Sequence, residues 1–186
     1  MKLMIASDIH GSAFFCKKML EAYERENAER LLLLGDILYH GPRNDLPRDY
    51  APKEVIAMLN EKKKDIFCVR GNCDTEVDQM VLEFPVLADY SFFNIDGVNM
   101  FVTHGHKWNP SNLPMLKEGD ILLNGHTHVP ACEEKEGFIY MNPGSVSIPK
   151  QDSAHSYMIY KAGMFYWKDL AGDEYNRYMV QGKANK

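Results

Sequence analysis

The chain has little that would direct it to a membrane or to an oxidising compartment. Its apolar runs fall far short of the roughly 20 residues that a membrane-spanning helix needs. No apolar signal-peptide segment follows the first methionine. The four cysteines form no Cys-x-x-Cys pair, which argues against a thiolate metal site or a redox motif. We therefore expect a reduced, cytoplasmic protein that has no membrane partner.

Long basic runs and the common nucleophile motifs are also absent. The net charge is −5 and the longest basic run is three lysines at 62–64, so nucleic acid is not expected as a stable partner. No Gly-x-Ser-x-Gly or Walker A sequence occurs, which argues against a serine hydrolase and a P-loop nucleotide site. The length of 186 residues and the hydrophobic fraction of 45% suit one globular domain, residues 1–186.

The first half of the chain alternates strand-like and helix-like segments. Short apolar runs predict buried strands at residues 2–7, 30–34 and 65–69. Helical spacing of apolar side chains predicts a helix from residue 12 to about 25, and Pro52 suits the first turn of a second helix. Thr75, with Asp78 three residues later, resembles the capping box of a short third helix.

The second half is richer in hairpin signals. Asp96-Gly97 separates two strand-like runs and is a strong turn signal, and Gly137 and residues 161–163 mark two more hairpins. A short buried strand is expected at residues 121–123, and the polar tail after Tyr178 is expected to fray. Alternating strands and helices followed by hairpins predict an α/β fold in which two sheets pack together with helices outside.

Side chains of the metal-ligand type stand in five short clusters. The clusters are Asp8-Ile9-His10, Gly35-Asp36, Gly71-Asn72-Cys73-Asp74, His104-Gly105-His106 and Gly125-His126-Thr127-His128. Each cluster follows an apolar, strand-like run, and any one of them alone would be weak evidence. Groups at strand ends can converge on the crevice where open α/β folds bind substrates. The five clusters, in this order, therefore predict that their side chains come together in a single metal-binding crevice.

The ligand types indicate two metal ions. Two aspartates, one asparagine and four histidines suit Mn²⁺, Fe or Zn²⁺ better than a cysteine-rich structural zinc site. Asp8 and His10 are close enough to reach one ion, whereas His126 and His128 could each serve a different ion. Asp36 is our candidate for a bridging carboxylate, and Asn72 offers a neutral oxygen ligand.

Such a centre suits hydrolysis of a phosphate ester. Two metals about 3.5–4 Å apart make hydroxide available near neutral pH and neutralise phosphate oxygens during in-line displacement. Phosphoryl transfer needs mainly positioning and charge stabilisation, so no covalent nucleophile is required. The sequence therefore predicts a hydrolase with a dinuclear metal centre.

Further side chains near the clusters are candidates for substrate contacts. His40 and Arg43 follow the Gly-Asp cluster, so their loop is expected at the mouth of the site. Arg43 either forms a bidentate contact with phosphate or is a solvated loop residue. His106 is expected to border the site without tight metal binding. Asp74 either orients neighbouring groups or only begins a turn.

At these residues the chain resembles the calcineurin-like metallophosphoesterase superfamily. The pattern of that family is Asp-x-His, Gly-Asp, Gly-Asn-His-Asp/Glu, His and Gly-His-x-His, and the match runs from Asp8 to His128. Runs at residues 40–44, 69–74, 76–80 and 142–149 resemble the small YfcE-type bacterial phosphodiesterases within it. The resemblance implies a four-layer α/β/β/α sandwich of two mixed sheets flanked by helices.

The resemblance also implies roles for individual residues. The first metal would be held by Asp8, His10, Asp36 and His128. The second metal would be held by Asp36, Asn72, His104 and His126. Members of the subgroup use two divalent ions, most often Mn²⁺, with Zn²⁺, Fe, Ni²⁺ or Co²⁺ as alternatives, and they often form homo-oligomers. We accordingly expect a dimer or tetramer and a small phosphodiester substrate.

Cys73 departs from the wider family, in which histidine commonly follows the motif asparagine. A thiol with a pKa of about 8.5 is a poor match for an imidazole acid at neutral pH. We therefore expect a preference for substrates with good leaving groups, although Cys73 could instead only fill space. Our candidate catalytic residues are Asp36, Asn72, Cys73 and His104. Our candidate substrate contacts are Cys73, Arg43, His40 and His106.

The predicted activity is that of a metal-dependent phosphoric diester hydrolase. A phosphomonoesterase or nucleotide pyrophosphatase could use the same metals, because the difference lies in pocket contacts. A non-catalytic scaffold is the other alternative, since the resemblance includes a retromer subunit with this fold. The aromatic residues Phe92, Phe93, Trp108 and Trp167 either build a subunit interface or belong to the core or pocket wall.

Overall fold

The computed structural model describes residues 1–180, in which strands predominate over helices. The elements in chain order are β1 (Lys2–Ala6), α1 (Ala13–Glu26), β2 (Arg30–Leu33), α2 (Pro52–Glu61), β3 (Ile66–Cys68), α3 (Glu76–Val81), β4 (Ser91–Ile95), β5 (Val98–Val102), β6 (Asp120–Leu123), β7 (Pro130–Lys135), β8 (Phe138–Pro143), β9 (Ser156–Lys161), β10 (Met164–Asp169) and β11 (Glu174–Met179). Of the tail expected to fray, Met179 still belongs to β11, and residues 181–186 lie outside the described residues.

The strands form two mixed sheets. The six-stranded sheet has the order β11-β10-β9-β1-β2-β3, in which β1, β2 and β3 run parallel and β9 is antiparallel to β1. The five-stranded sheet has the order β4-β5-β6-β8-β7, in which β5, β6 and β8 run parallel between antiparallel edge strands. The parallel strands β1, β2, β3, β5 and β6 each lead into one of the five predicted clusters.

The alternation of side chains along the strands builds two apolar layers. Leu3 and Ile5 of β1 pack between the sheets, against residues such as Met100 of β5. Met4, the residue between them, faces the other way and packs with Met19 of α1. The inner strands of the first sheet are therefore apolar on both faces, as buried parallel strands usually are. The prediction of two mixed sheets flanked by helices is confirmed.

Local sequence signals explain several element boundaries. The Ser12 hydroxyl accepts the backbone N–H of Phe15 at 3.2 Å and caps α1, and Pro52 is the first residue of α2. The carboxylate of Asp78 accepts the backbone N–H of Thr75 at 2.6 Å, as in the predicted capping box of α3. Within the described residues, no helix combines the length and the apolarity needed to cross a membrane.

The four aromatic residues considered for a subunit interface have different environments. Trp167 is fully buried and donates its indole N–H to the carbonyl of Asn142 at 2.8 Å, so it belongs to the core. Phe93 packs against the layer between the sheets, whereas Phe92 on the opposite face of β4 is 55% exposed. Trp108 contacts Phe101 edge to face, with ring centroids 6.1 Å apart.

Candidate metal centre

The five clusters lie at the carboxyl ends of parallel strands. Asp8 follows β1, Asp36 follows β2 and Asn72 follows β3, all from the first sheet. His104 follows β5 and His126 follows β6, both from the second sheet. Because the carboxyl ends of parallel strands meet at one edge, the clusters converge on one crevice, as the sequence pattern predicted.

The backbone at this edge is strained. Five of the seven candidate ligands have a left-handed backbone conformation. They are Asp8 (φ 60°), His10 (φ 50°), Asp36 (φ 54°), His126 (φ 68°) and His128 (φ 61°). Residues other than glycine rarely adopt this conformation, and it costs roughly 1–2 kcal/mol per residue. Such strain accumulates at functional sites, where the surrounding structure holds it in place.

Hydrogen bonds between the clusters hold these strained turns. The N–H of Asp8 donates to the carbonyl of Gly35 at 3.1 Å, and the N–H of His10 donates to the carbonyl of Asp36 at 2.9 Å. The N–H of His126 donates to Oδ2 of Asp8 at 3.1 Å. The clusters after β1, β2 and β6 therefore fix one another.

His10, His128 and Asp8 point three acceptor atoms at one place. Nε2 of His10 lies 3.2 Å from Nε2 of His128, and the two nitrogens lie 3.5 Å and 3.2 Å from Oδ1 of Asp8. Nδ1 of His10 donates to the carbonyl of Tyr39 at 2.7 Å, and Nδ1 of His128 donates to that of Ile148 at 2.6 Å. In neutral rings both Nε2 atoms then carry lone pairs, which repel one another unless a cation lies between them.

Asp8 provides a second indication of a cation. Its Oδ2 accepts the hydroxyl of Ser7 at 2.6 Å and the N–H of His126. Its Oδ1 is buried and has no hydrogen-bond partner among the described residues. An unpaired buried carboxylate oxygen is costly, and a metal ion would satisfy it. The donor set here therefore fits a divalent metal.

Asn72, His104, His126 and Asp36 form a second convergence. Nε2 of His104 lies 3.1 Å from Oδ1 of Asn72, 3.2 Å from Nδ1 of His126 and 3.4 Å from Oδ2 of Asp36. Nδ1 of His104 donates to the carbonyl of Leu34 at 2.6 Å, which leaves Nε2 as the acceptor in the neutral ring. This nitrogen and oxygen set also fits a divalent metal.

Asp36 lies between the two groups. Its Oδ2 is 3.4 Å from Nε2 of His104 and 3.8 Å from Nε2 of His10. Its Oδ1 accepts the backbone N–H of Cys73 at 2.8 Å. One carboxylate therefore lies close to both groups of candidate ligands.

The buried charges of the site support one another. Burial raises the pKa of Asp36, but the contact with His104 outweighs it and leaves that pKa lowered. Burial also raises the pKa of Asp8, but the contacts with His10 and His128 outweigh burial and leave this pKa well below its usual value. Burial lowers the pKa of His104, yet Asp36 and Asp8 raise it to about 9. The two carboxylates therefore draw positive charge to the site.

Asp74 connects the Asp36 turn to the turn after β3. Its carboxylate accepts the backbone N–H groups of Asp36, Ile37 and Gly71 at 2.8, 2.9 and 2.7 Å. Burial is the largest influence on its pKa and raises it to about 6. Of the two interpretations of Asp74, the structure supports the one in which it orients its neighbours.

Gly35 and Gly71 allow these two turns to touch. A β-carbon on Gly71 would overlap Oδ1 and the backbone nitrogen of Asp36, and one on Gly35 would overlap the backbone of Gly71. Gly35 is thus required by the neighbouring turn.

The segment from Asn142 to Ser147 supports the site from behind. The hydroxyls of Ser145 and Ser147 both donate to the carbonyl of Asp8, at 2.9 and 3.0 Å. The side-chain amide of Asn142 donates to the carbonyl of Gly125 at 2.7 Å. Composition indicates only a turn in this segment, and no spacing rule connects it to Asp8, 137 residues away.

A cavity of about 330 Å³ lies over the candidate ligands. Its walls include Cys73 and Arg43, two of the predicted substrate contacts, and also Lys150, which sequence reasoning missed. A larger cavity of about 600 Å³ lies at the opposite end of the sandwich, near Gly97 and Gly137, and contains none of the candidate ligands.

The other two predicted substrate contacts lie outside the residues that line the cavity. His40 packs edge to face against Tyr39 and Tyr50, with ring centroids 4.8 and 5.2 Å away. His106 lies beside His104, with ring centroids 5.5 Å apart. Burial lowers the pKa of His106 to about 4, so its ring is neutral. A substrate contact by either histidine stays a prediction.

Comparison with known proteins agrees with the fold and the site. The phosphodiesterase YfcE of Escherichia coli is 49% identical over 157 residues, which cover 84% of this chain and 85% of that protein. The solved structure of the E. coli YfcE phosphoesterase matches with a TM-score of 0.94 at 43% identity and covers 97% of this chain and 100% of that one.

More distant structures share the fold alone. Vps29 of Entamoeba histolytica, solved with Zn²⁺, has a TM-score of 0.63 at 18% identity, covering 97% of this chain and 100% of that one.

The sequence model of one protein family, the calcineurin-like phosphoesterase superfamily domain, matches residues 1–163 of this chain. On that match, and on the close relationship to YfcE, the chain belongs to the calcineurin-like phosphoesterase superfamily.

Proposed function

We propose that this protein is a metal-dependent phosphodiesterase that hydrolyses small phosphodiesters. The observation that carries the proposal is the convergence of acceptor atoms on two adjacent places that share Asp36. A relative that is 49% identical and bears the name phosphodiesterase supports it. Membership of the family implies divalent metal ions, and the donor set described above fits them.

We assign the ligands as the sequence suggested. Asp8, His10, Asp36 and His128 would hold one ion, and Asp36, Asn72, His104 and His126 would hold the other. Mn²⁺ is our choice for both ions, with Zn²⁺, Fe, Ni²⁺ and Co²⁺ as the alternatives that this mixed nitrogen and oxygen set also accepts. When bound, such ions lower the pKa of a water molecule and neutralise the oxygens of a phosphate group.

The protein's own groups then position the reaction. Asp74 accepts the backbone N–H of Asp36, and the N–H of Cys73 donates to the carboxylate of Asp36, so this residue is held in a fixed orientation. Burial, followed by the charge of Asp36, raises the pKa of the Cys73 thiol to about 12. On the contacts of the protein's own groups, Cys73 is therefore a neutral thiol at the cavity wall rather than a thiolate nucleophile. This favours attack on phosphorus by water, in line with the leaving group.

Assembly and location remain expectations of the proposal. We expect a homo-oligomer, either a dimer or a tetramer, in the cytoplasm. Light scattering coupled to size-exclusion chromatography measures the mass directly and would reject this expectation if the protein ran as a 21.4 kDa species at all concentrations.

Turnover of bis(p-nitrophenyl) phosphate by chelator-treated protein tests the proposal. Adding back Mn²⁺ should restore turnover, and p-nitrophenyl phosphate should be a much poorer substrate. Faster turnover of the monoester would favour a phosphomonoesterase on the same site. If neither ester is turned over with any of the five metals, the proposal that this protein is a phosphate-ester hydrolase is rejected.

A further inference from the structure

Two cationic side chains line the cavity over the metal centre, and they come from distant parts of the chain. Arg43 lies in the loop after β2, and Lys150 lies between β8 and β9. Both side chains are exposed and both line the same cavity of about 330 Å³. The sequence suggested only Arg43, because Lys150 is far from every cluster.

Neither side chain forms an ion pair with an acidic residue among residues 1–180. Within residues 1–180, no carboxylate oxygen lies within 4.0 Å of the cationic nitrogens of Arg43 or Lys150. By contrast, Arg48 lies 4.0 Å from Asp49 and stacks on the ring of Phe14. In a chain with a net charge of −5, two cationic side chains that line one cavity and have no acidic partner favour a negatively charged ligand there.

The backbones that carry the two cations are attached to the metal centre. The N–H of Lys150 donates to the carbonyl of His128 at 3.1 Å, and its carbonyl accepts the hydroxyl of Ser153 at 2.7 Å. On the other side, Gly41 lies beside Cys73. A β-carbon added to Gly41 would be 3.3 Å from Sγ of Cys73. Both cations therefore have fixed starting points beside the candidate ligands.

The charge of the scissile group alone does not explain these cations. Two divalent ions with the carboxylates of Asp8 and Asp36 leave an excess of about two positive charges, which the attacking hydroxide and the single negative charge of a phosphodiester group would already balance. Arg43 and Lys150 add two more positive charges to the same cavity. This excess fits a substrate that has a second anionic group.

We propose that Arg43 and Lys150 form a subsite for a second phosphate group, so that the substrates are phosphodiesters carrying a phosphate beyond the bond that is cleaved. The guanidinium fork of Arg43 suits two phosphate oxygens, and the ammonium of Lys150 adds a point charge. This inference rests on the proposed phosphodiesterase function and names the class of substrate for that site.

Two p-nitrophenyl esters with the same leaving group test the subsite. They are thymidine 5′-(p-nitrophenyl phosphate) and the same diester with an additional 3′-phosphate. With Mn²⁺, the wild type should have a kcat/KM about tenfold higher for the 3′-phosphorylated ester, mainly through a lower KM. In Arg43→Gln, Lys150→Gln and the double variant, the ratio between the two esters should fall towards one.

Matched variants on remote surfaces provide the control. Lys64→Gln and Arg177→Gln remove the same charges at exposed positions outside the cavity lining and should leave the ratio unchanged. A wild type without preference, or a preference that survives in the double variant, would overturn the subsite. A preference lost equally in the control variants would also overturn it, because net charge alone would then explain the effect.

A binding measurement separates the subsite from the activity. Calorimetric titration should give a dissociation constant about tenfold lower for thymidine 3′,5′-bisphosphate than for thymidine 5′-phosphate, and only Arg43→Gln and Lys150→Gln should remove the difference. If neither ester is turned over while this difference is present, the diesterase function fails and the phosphate subsite stands. Equal binding of the two nucleotides rejects the subsite even if both esters are hydrolysed.

Discussion

The carboxylate of Asp74 accepts the backbone N–H of Asp36 at 2.8 Å, across 38 residues of sequence. The same carboxylate accepts the N–H groups of Ile37 and Gly71, so three donors from two turns meet at one side chain. The position of Asp36 between the two groups of candidate ligands therefore depends on a residue that touches no metal itself.

Replacing Asp74 with asparagine should loosen the Asp36 turn. The amide of Asn has one acceptor atom and would place its NH₂ group against a backbone N–H. We expect the free energy of unfolding to fall by about 1–3 kcal/mol and the affinity for Mn²⁺ to fall by about 10–100-fold. Denaturant unfolding and calorimetric Mn²⁺ titration measure the two effects. Asp89→Asn, at an exposed aspartate paired with Lys107, is the control, and an equal loss there would contradict the role of Asp74.

Gly71→Ala should disturb the same turn by steric overlap. The added methyl group would collide with Oδ1 of Asp36, and the backbone of Gly71 has no positive φ that would add strain. We expect weaker Mn²⁺ binding and a stability loss of about 1–3 kcal/mol. Gly97→Ala is the comparison, because its methyl group meets nothing within 4 Å and its φ of +80° adds only backbone strain. Equal effects of both substitutions on Mn²⁺ binding would show that contact with Asp36 is unimportant.

Asp36→Asn should weaken both ions together. The neutral amide loses the charge that two ions would share, so the loss in turnover of bis(p-nitrophenyl) phosphate should exceed the roughly 10–100-fold that removal of a supporting hydrogen bond causes. Asp96→Asn makes the same chemical change at an aspartate with a similar φ of 55°, in the remote β4–β5 turn. Inductively coupled plasma mass spectrometry of dialysed samples should find fewer ions in Asp36→Asn only. Loss of a single ion per chain would argue against a bridging role.

Glu26 should stabilise the fold in a pH-dependent way. Burial raises its pKa, but hydrogen bonds from Lys168 (2.6 Å), Lys2 (3.0 Å) and Tyr157 (3.0 Å) outweigh burial and leave it below the usual 4.5. A lowered pKa means that the stabilisation is complete above about pH 4.5 and is lost as the pH falls through the folded-state pKa. Glu26→Gln should therefore cost roughly 1–2 kcal/mol at pH 7 and progressively less below pH 4.5.

Urea unfolding at a series of pH values measures the effect of Glu26→Gln. Glu24→Gln is the matched control, because Glu24 pairs with Lys62 on the surface and such exposed pairs contribute about 1 kcal/mol or less. A difference between Glu26→Gln and the wild type that stays constant from pH 7 to pH 3 would contradict the ionic origin of the stabilisation.

Cys73→His should broaden the range of leaving groups. An imidazole titrates near neutral pH and can protonate a departing oxygen, whereas a thiol is a weaker acid. Across a series of aryl phosphodiesters we expect rate gains of up to about 10²-fold for the poorest leaving groups and little change for p-nitrophenol. Cys73→Ala tests whether the thiol contributes at all. If Cys73→Ala matches the wild type and Cys73→His gives no gain across the series, the thiol only fills space.

Much of the fold followed from local patterns. The parallel strands β1 and β2 were predicted from apolar runs, α1 from helical spacing and the β4–β5 hairpin from Asp96-Gly97, because these signals depend on neighbours close in sequence. The position of Trp167 did not follow, since burial of an aromatic side chain depends on what packs over it. The roles of Ser145 and Ser147 at the carbonyl of Asp8 were equally invisible, because that contact joins turns 137 and 139 residues apart.

The sequence by itself determined the ligand types, their order and their placement after strands, and these were sufficient to predict a dinuclear metal site. Tertiary structure alone decided how the candidate ligands are held: the left-handed backbone of five candidate ligand residues, the three N–H groups on Asp74 and the contact between Gly35 and Gly71. It also brought Lys150 to the same cavity as Arg43. The physical reason is that a sequence pattern reports local periodicity and side-chain chemistry, whereas hydrogen bonds between distant turns exist only once both sheets have packed.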